Sequence, residues 1–289
     1  MTGPVIVVGA AGRLGASIVA ASGGADVVAH THATLDITDP DAVRQAITGT
    51  APAAVINCAA FNDVDGAEDH PEKAFAVNAF GVRSLARAAE ACGALFVHFS
   101  TDFVFDGEAA EPYVETDAVA PRSVYGLSKL LGEWFALDAP RGFVLRVESL
   151  FGAPVGWSGR SGSLDAIIAS LEQGREVTVF TDRVVSPSYV HDIVGAVRHL
   201  LDGRVAPGLY HCVNDGHATW HEVAAEAARL LGVHPQFRCV TMDRATFRAS
   251  RPRYCALAGR KLAAAGFAMP SWNDALRRRL TRVAGGGIT

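Results

Sequence analysis

A glycine-rich turn close to the amino terminus constrains the fold of this chain more than any other sequence feature. It reads Gly9-Ala10-Ala11-Gly12-Arg13-Leu14-Gly15 and follows the short apolar run Val5–Val8, which is typical of a strand buried on both faces. Glycines allow a tight turn and a close approach of the backbone to a pyrophosphate, and the helix that follows directs its free N–H groups at the same anion. The turn therefore predicts a dinucleotide site, with contacts from Gly9, Gly12, Arg13, Leu14 and Gly15.

Strand-like and helix-like segments alternate through the first half of the chain. Strands are predicted at 5–8, 25–29, 53–58, 95–99 and 142–147, and helices at 14–21, 40–47, 71–91 and 123–137. Such alternation predicts an α/β fold, a Rossmann-type doubly wound parallel sheet with a smaller C-terminal substrate lobe.

The pattern becomes less regular after residue 151. A stretch rich in Gly, Pro and Ser at 152–162 predicts a mobile loop, and the glycines at 285–287 predict a frayed tail. We expect residues 1–150 to form the dinucleotide-binding domain, with 186–205 returning to it. Residues 151–185 and 206–289 then form the substrate-binding lobe.

Composition excludes several classes of partner and location. The net charge of −4 provides no broad basic field for nucleic acid. No apolar run reaches the roughly 18 residues of a membrane span, and the first residues lack the features of a signal peptide. The five cysteines form no C-x-x-C pair and are interpreted as buried thiols in a reducing compartment. We therefore predict a cytoplasmic protein with no metal centre.

A tyrosine and a lysine four residues apart predict the catalytic centre. Tyr125-Gly126-Leu127-Ser128-Lys129 places a phenol and an ammonium on one face of a helix. A free tyrosine has a pKa of about 10, and a neighbouring lysine is expected to lower that pKa for proton exchange. The same lysine can bind the nicotinamide ribose, so both residues are predicted to contact the cofactor.

Polar residues at the end of the fourth strand add to this centre. Ser100-Thr101-Asp102 stands where parallel strands direct side chains into the ligand crevice. Thr101 is predicted to bind and polarise a substrate carbonyl, and Ser100 and Asp102 are predicted substrate contacts.

The end of the second strand bears on cofactor choice. It reads His30-Thr31-His32 and lacks the carboxylate that would favour NAD, so we predict NADPH with NADH tolerated. Arg13 could attract the 2′-phosphate, and Asp36 is a candidate contact for the adenine edge.

These motifs resemble those of the extended short-chain dehydrogenase/reductases and, within them, the dTDP-4-dehydrorhamnose reductase family. The resembling stretches span nearly the whole chain and lie at 55–61, 64–68, 100–107, 125–129, 208–211 and 251–253. The resemblance implies an NAD(P)H-dependent reductase of a nucleotide-linked 4-keto-6-deoxy sugar, as in dTDP-L-rhamnose biosynthesis. It also implies that Ala59, Ala60 and Phe61 line the cofactor and that Asn78 lies behind the catalytic residues.

One segment departs from the family pattern. Where these reductases usually carry a small hydroxyl residue followed by an aromatic that packs on the sugar, this chain has Val147-Glu148-Ser149-Leu150-Phe151. Glu148 is a predicted substrate contact that changes the polarity of that wall, which leaves the sugar open. Arg251 or Arg253 could hold the diphosphate by paired hydrogen bonds.

Two other functions stay open from the sequence. Similar folds serve as the regulatory subunit of methionine adenosyltransferase, which binds nucleotide and a partner enzyme, and as nucleotide-sugar epimerases or dehydratases. The helices at 71–91 and 123–137 could form the face of a homodimer.

Overall fold

The structure is a computed structural model that describes residues 3–23 and 26–285. In chain order the strands are β1 (Val5–Val8), β2 (Val27–His30), β3 (Ala54–Asn57), β4 (Leu95–Thr101), β5 (Gly142–Val147), β6 (Leu150–Phe151), β7 (Val177–Phe180), β8 (Val184–Val185), β9 (Ser188–Tyr189), β10 (Gly208–His211), β11 (Ala218–Thr219) and β12 (Phe237–Val240). The α-helices are α1 (Arg13–Ala21), α2 (Pro40–Thr50), α3 (Val64–Asp69), α4 (Pro71–Phe75), α5 (Val82–Ala91), α6 (Val124–Leu137), α7 (Ser163–Glu172), α8 (Val190–Leu201), α9 (Trp220–Leu231), α10 (Arg260–Ala264) and α11 (Trp272–Gly285).

Six parallel strands form the main sheet in the order β10-β5-β4-β3-β1-β2. The chain runs from β1 outward to β2 and then returns to the other side of β1 as β3. This reversal opens a crevice beyond the carboxyl ends of β1 and β3, where doubly wound sheets bind ligands. The predicted fold class is confirmed.

Side chains alternate between two hydrophobic cores, one on each face of this sheet. Ile6 and Val8 pack on one face with residues of α2 and α5, while Val7 packs on the other with residues of α1 and α8. Both faces of the strands are thereby buried, as the continuous apolar runs in the sequence predicted.

A separate core holds the smaller lobe together. Its side chains come from α7, β7, α9 and α11, and include Leu164, Val177, Val223 and Trp272. Strand β10, whose residues were assigned to this lobe from the sequence, is the edge strand of the main sheet beside β5. The division of the chain into two domains stays a prediction.

Side-chain caps lie at the start of helices that include α2 and α9. Asp39, which directly precedes the helix predicted at 40–47, accepts hydrogen bonds from the N–H groups of Asp41 and Ala42 at the start of α2. Thr219 forms a capping box with Glu222 at the start of α9.

The segment 71–91, predicted as one helix, is interrupted in the structure. A π-helical segment, Ala76–Gly81, interrupts it between α4 and α5 and carries the fully buried Asn78. Gly81, in this segment, packs closely against Ile37, and a Cβ at position 81 would lie only 2.8 Å from the Ile37 side chain. Such segments are frequent next to functional sites.

Two further predictions concern the C-terminal tail and membrane-spanning segments. Residues 286 and 287 of the predicted frayed tail lie outside the described residues, and α11 continues to Gly285. Within the described ranges, none of the helices has both the length and the apolar character required to cross a bilayer.

Candidate active site

A cavity of about 370 Å³ opens at the carboxyl ends of the central strands. The predicted site residues that line it are Gly12, Arg13, Leu14, Ala59, Ala60, Ser100, Thr101, Asp102, Tyr125, Lys129, Glu148 and Arg251. The predicted cofactor contacts that do not line it are Gly9, Gly15, Asp36, Phe61 and Asn78. Both the glycine-rich turn and the Tyr–Lys pair therefore face one space.

The three glycines of the turn differ in what surrounds them. Gly9 has a φ of +77°, and a Cβ there would approach the Ala59 nitrogen to 2.5 Å. A Cβ at Gly15 would lie 2.4 Å from the carbonyl oxygen of Gly9, so both positions need glycine for packing. A Cβ at Gly12 would meet only that same oxygen, at 3.2 Å. Gly12 thus presents bare backbone to the cavity, as a phosphate site at a helix N-terminus requires.

Helix α6 positions the tyrosine and the lysine. It begins after Ser123, whose Oγ accepts a hydrogen bond from the Gly126 nitrogen. The Tyr125 ring packs edge-on against Phe103, with centroids 5.5 Å apart. One turn later, the Nζ of Lys129 donates to the carbonyl oxygen of Phe99. Both side chains are buried within the cavity wall.

The protonation of this pair differs from the expectation. Burial raises the pKa of Tyr125 above its ordinary value, the negative charge of Asp102 adds to the effect, and the neighbouring Thr101 hydroxyl opposes it. Burial also lowers the pKa of Lys129 to about 8. The prediction of a net lowering of the Tyr125 pKa is therefore wrong for this structure, because burial outweighs the effects that lower it. The phenol is protonated at neutral pH and can act as a proton donor.

Two carboxyl groups form the floor of the cavity beside Thr101. Thr101 and Val147 are paired in register on β4 and β5, so the next residues, Asp102 and Glu148, lie side by side. Both are buried, at 4% and 3% exposure. Their carboxyl oxygens and the Cys255 Sγ lie within 4.8 Å of one another.

Arg183 is the cation that faces these acids. Burial raises the pKa of Asp102, and the charge of Arg183 opposes that rise. The pKa of Glu148 is raised well above its ordinary value by burial and by the charge of Asp102. The Arg183 guanidinium already supplies a positive charge to these two carboxyls and the Cys255 thiol, so we assign no metal ion to this group of side chains.

Asn78 acts on the architecture of the site. Its Oδ1 accepts a hydrogen bond from the Phe61 nitrogen (2.8 Å), and its Nδ2 donates to the Phe61 carbonyl oxygen (3.1 Å) and the Ser128 Oγ (3.0 Å). Asn78 thereby links the segment after β3 to the helix that carries Lys129, while Ala59 and Ala60 reach the cavity itself.

Two predicted cofactor contacts are bound by other protein groups. Asp36 is exposed and accepts hydrogen bonds from the backbone and hydroxyl of Thr38, which lower its pKa. The Arg13 guanidinium forms an ion pair with Asp165 and donates to the Gly152 carbonyl oxygen at 2.9 Å. Arg13 shares this carboxylate with Arg279, which lies 3.5 Å from Asp165.

The arginines proposed for the diphosphate also have carboxylate partners. Arg251 forms two hydrogen bonds with Asp65, at 3.1 and 3.0 Å, and still lines the cavity. Arg253 lies 3.5 Å from Asp182 and is exposed.

Sequence reasoning missed several residues that line the cavity. Asn57, Phe99 and Val147 lie at or near the carboxyl ends of β3, β4 and β5, a position that could have identified them. Arg183 and Trp220 come from the smaller lobe, and nothing in their local spacing distinguishes them.

Comparison with known proteins gives one consistent result. The family model described as "RmlD substrate binding domain" matches residues 2–284. The dTDP-4-dehydrorhamnose reductase of Mycolicibacterium smegmatis is 36% identical over 97% of this chain and 86% of its own length. That of Mycobacterium tuberculosis is 38% identical over 97% and 93%. The crystal structure of the Bacillus anthracis dTDP-4-dehydrorhamnose reductase in complex with NADP superposes with a TM-score of 0.91. It is 31% identical and covers 98% of this chain and 100% of that one.

Proposed function

The chain belongs to the RmlD substrate binding domain family, and we propose that it is an NADPH-dependent reductase of a dTDP-linked 4-keto-6-deoxy sugar, such as dTDP-4-dehydrorhamnose. The observation that carries this proposal is that Gly12, Thr101, Tyr125 and Lys129 face a single cavity. A phosphate-binding turn and a proton donor in one crevice suit hydride transfer better than nucleotide binding alone.

The residues around the turn fit the pyrophosphate of NADPH. Gly12 leaves the space beside it open, and α1 contributes its N-terminal N–H groups and dipole. Ala59 and Ala60 line the same side with small side chains. Arg13 reaches the 2′-phosphate only if its ion pair with Asp165 opens.

The reaction is a two-part reduction of the C4 ketone. When bound, NADPH supplies a hydride to the ketone carbon. Tyr125, which is protonated at neutral pH, gives its proton to the ketone oxygen, which becomes a hydroxyl. Thr101 orients that oxygen when its hydroxyl proton turns from the Asp102 carboxylate to the ketone.

The charge of Lys129 assists the proton transfer from Tyr125. With a pKa of about 8 it is mostly charged at pH 7, and its charge stabilises the phenolate left when Tyr125 has given up its proton. The same ammonium can bind the ribose hydroxyls, since the Phe99 carbonyl uses only one of its three protons.

The test is consumption of NADPH with dTDP-4-dehydrorhamnose. We expect stoichiometric oxidation of NADPH and formation of the 4-hydroxy sugar. An epimerase or dehydratase would change the sugar without net consumption, and a regulatory subunit would bind nucleotide without turnover.

We further propose that the protein is a homodimer and that it is cytoplasmic. Four large apolar side chains are exposed on the outer face of the π-helical segment and α6, namely Phe80, Leu127, Trp134 and Leu137. An apolar patch of this kind favours association with a second copy. Trp134→Glu should shift the sedimentation coefficient to that of a monomer, whereas an unchanged value would exclude this face.

A further inference from the structure

Three polar atoms on the floor of the cavity have no hydrogen-bond partner among the described residues. They are the Ser100 Oγ, the Asp102 Oδ2 and the Arg183 Nε. All three residues line the cavity, and Ser100 and Asp102 are more than nine-tenths buried. A buried polar group without a partner costs about 1–3 kcal/mol, so such a cluster indicates that a ligand completes the bonding.

The other atoms of the cluster already have partners. The Asp102 Oδ1 accepts from the Thr101 hydroxyl at 2.9 Å. Glu148 accepts hydrogen bonds from the Ser186 nitrogen and the Ser149 hydroxyl. The Asp102 Oδ2 and the Arg183 Nε therefore remain as an acceptor and a donor, as a single hydroxyl group requires, and the Ser100 hydroxyl remains as a third group without a partner.

The charges of the cluster limit what can bind. Two carboxyls, Asp102 and Glu148, face the single guanidinium of Arg183. Because a buried net charge is costly, we expect the charges of these three groups to add up to zero. One proton on Glu148 leaves Asp102 ionised against Arg183, and the raised pKa of Glu148 agrees with that placement. A neutral hydroxyl fits this balance, whereas a sugar carboxylate would be repelled by the Asp102 carboxylate.

The position of the cluster indicates which hydroxyl is bound. Thr101, which orients the ketone oxygen in the proposed function, is one hydrogen bond away from Asp102. A ring whose ketone lies at Thr101 directs the substituent of a neighbouring carbon at Asp102. For a 4-keto-6-deoxy sugar that neighbour is C3, which carries a hydroxyl, because C5 carries the methyl group.

We propose that Arg183 and Asp102 bind the hydroxyl on the carbon next to the reacting ketone, and that Glu148 stays protonated to keep this subsite neutral. Arg183 is then a specificity-determining residue from the smaller lobe, and Glu148 is a positioning residue. The inference rests on the proposed function and specifies the sugar that it takes.

The first experiment uses the unmodified protein. Binding and turnover of dTDP-4-dehydrorhamnose are compared with those of its 3-deoxy analogue, with NADPH present. A lost hydrogen bond to a charged group predicts kcat/KM and affinity about 10- to 100-fold lower for the analogue. Equal values for the two sugars would overturn the subsite.

The second experiment changes the two new residues. Arg183→Lys keeps the charge but removes the Nε donor, so the ratio between the sugars should fall to within about threefold, with the change mainly in KM. Glu148→Gln copies a neutral acid and should keep the ratio between the two sugars within about threefold of the wild-type ratio. Arg44→Lys on the exposed face of α2 is the matched control.

The outcomes separate the two proposals. Turnover with no difference between the sugars contradicts the subsite alone, and a preserved difference in calorimetric affinity without turnover contradicts the reductase alone. If Arg183→Lys keeps the wild-type ratio, or if Glu148→Gln loses the difference between the two sugars, the assignment of these roles fails. Thermal unfolding of each variant shows whether it has folded. If a variant has not folded, the comparison of the two sugars on the wild-type protein tests the subsite.

Discussion

The Nζ of Lys129 lies 2.5 Å from the carbonyl oxygen of Phe99, where β4 reaches the cavity. Within the described residues this lysine is 3% exposed, and burial holds its pKa at about 8, below the ordinary 10.5. The protein thus keeps a costly charge at the catalytic centre.

We predict that Lys129→Met stabilises the protein at pH 7 while abolishing turnover. Between pH 8 and 10.5 the unfolded chain binds more protons here than the folded one, so the wild-type free energy of unfolding should rise with pH in that window. At pH 7 keeping the buried lysine charged costs the wild type about 3 kcal/mol of folding free energy. The variant is relieved of this cost but loses the hydrogen bond to Phe99, which is worth about 1–2 kcal/mol. Urea unfolding at pH 7 and 9.5 measures the stability and its pH dependence, and the rate of NADPH oxidation measures turnover, with Lys73→Met on the surface as control. A variant less stable than the wild type at pH 7 would argue against this account.

We predict that Gly12→Val and Gly15→Ala fail in different ways. A valine at Gly12 points into the cavity, so the Kd for NADPH should rise at least about tenfold while Tm changes little. An alanine at Gly15 collides with the Gly9 carbonyl oxygen and should cost about 1–3 kcal/mol of stability. Fluorescence titration and thermal unfolding separate the two. An unchanged Kd in Gly12→Val would remove the phosphate-turn assignment.

We predict that NADPH is preferred over NADH in kcat/KM, with NADH still used. NADPH is accepted because no carboxylate at the end of β2 repels a 2′-phosphate. NADH is still used because the only arginine of the glycine-rich turn, Arg13, is already paired with Asp165. Introducing a carboxylate by Thr31→Asp should shift the ratio toward NADH, whereas Thr48→Asp on α2 should not. A wild-type preference for NADH would show that another residue sets the selectivity.

A buried ion pair between α6 and β5 provides a test of the fold alone. Arg146 donates two hydrogen bonds to the Glu133 carboxylate, at 2.8 and 2.7 Å, and both side chains are nearly inaccessible. Glu133→Gln leaves a buried guanidinium without its counter-charge, so we expect a loss of about 3–5 kcal/mol. Asp41→Asn, which breaks an exposed pair with Arg44, should cost less than about 0.5 kcal/mol. Similar losses in both variants would contradict this difference.

Features encoded within a few residues could be predicted from the sequence. The turn from Gly9 to Gly15, the cap at Asp39 and the Tyr125–Lys129 face depend on local geometry, and the structure has each of them. The family resemblance then supplied the chemistry that joins the turn and the pair in one cavity.

Partners distant in sequence could not be predicted in the same way. Arg13 was expected to be free for a phosphate, but its partner Asp165 lies 152 residues away. Arg251 pairs with Asp65 across 186 residues. Arg183 joins the floor of the cavity only because the smaller lobe folds over the sheet, and no spacing rule identifies such a residue. The raised pKa of Tyr125 also depends on burial, which the sequence does not state.

The central claim is that Tyr125 donates the proton to a ketone reduced at this cavity. The most direct measurement is the rate of NADPH oxidation with dTDP-4-dehydrorhamnose by the wild type and by Tyr125→Phe, together with the NADPH Kd of each. We expect turnover to fall at least about 100-fold in the variant, with the Kd within about threefold, because phenylalanine keeps the ring packed against Phe103 and removes only the proton. Near-normal turnover in Tyr125→Phe would contradict the account.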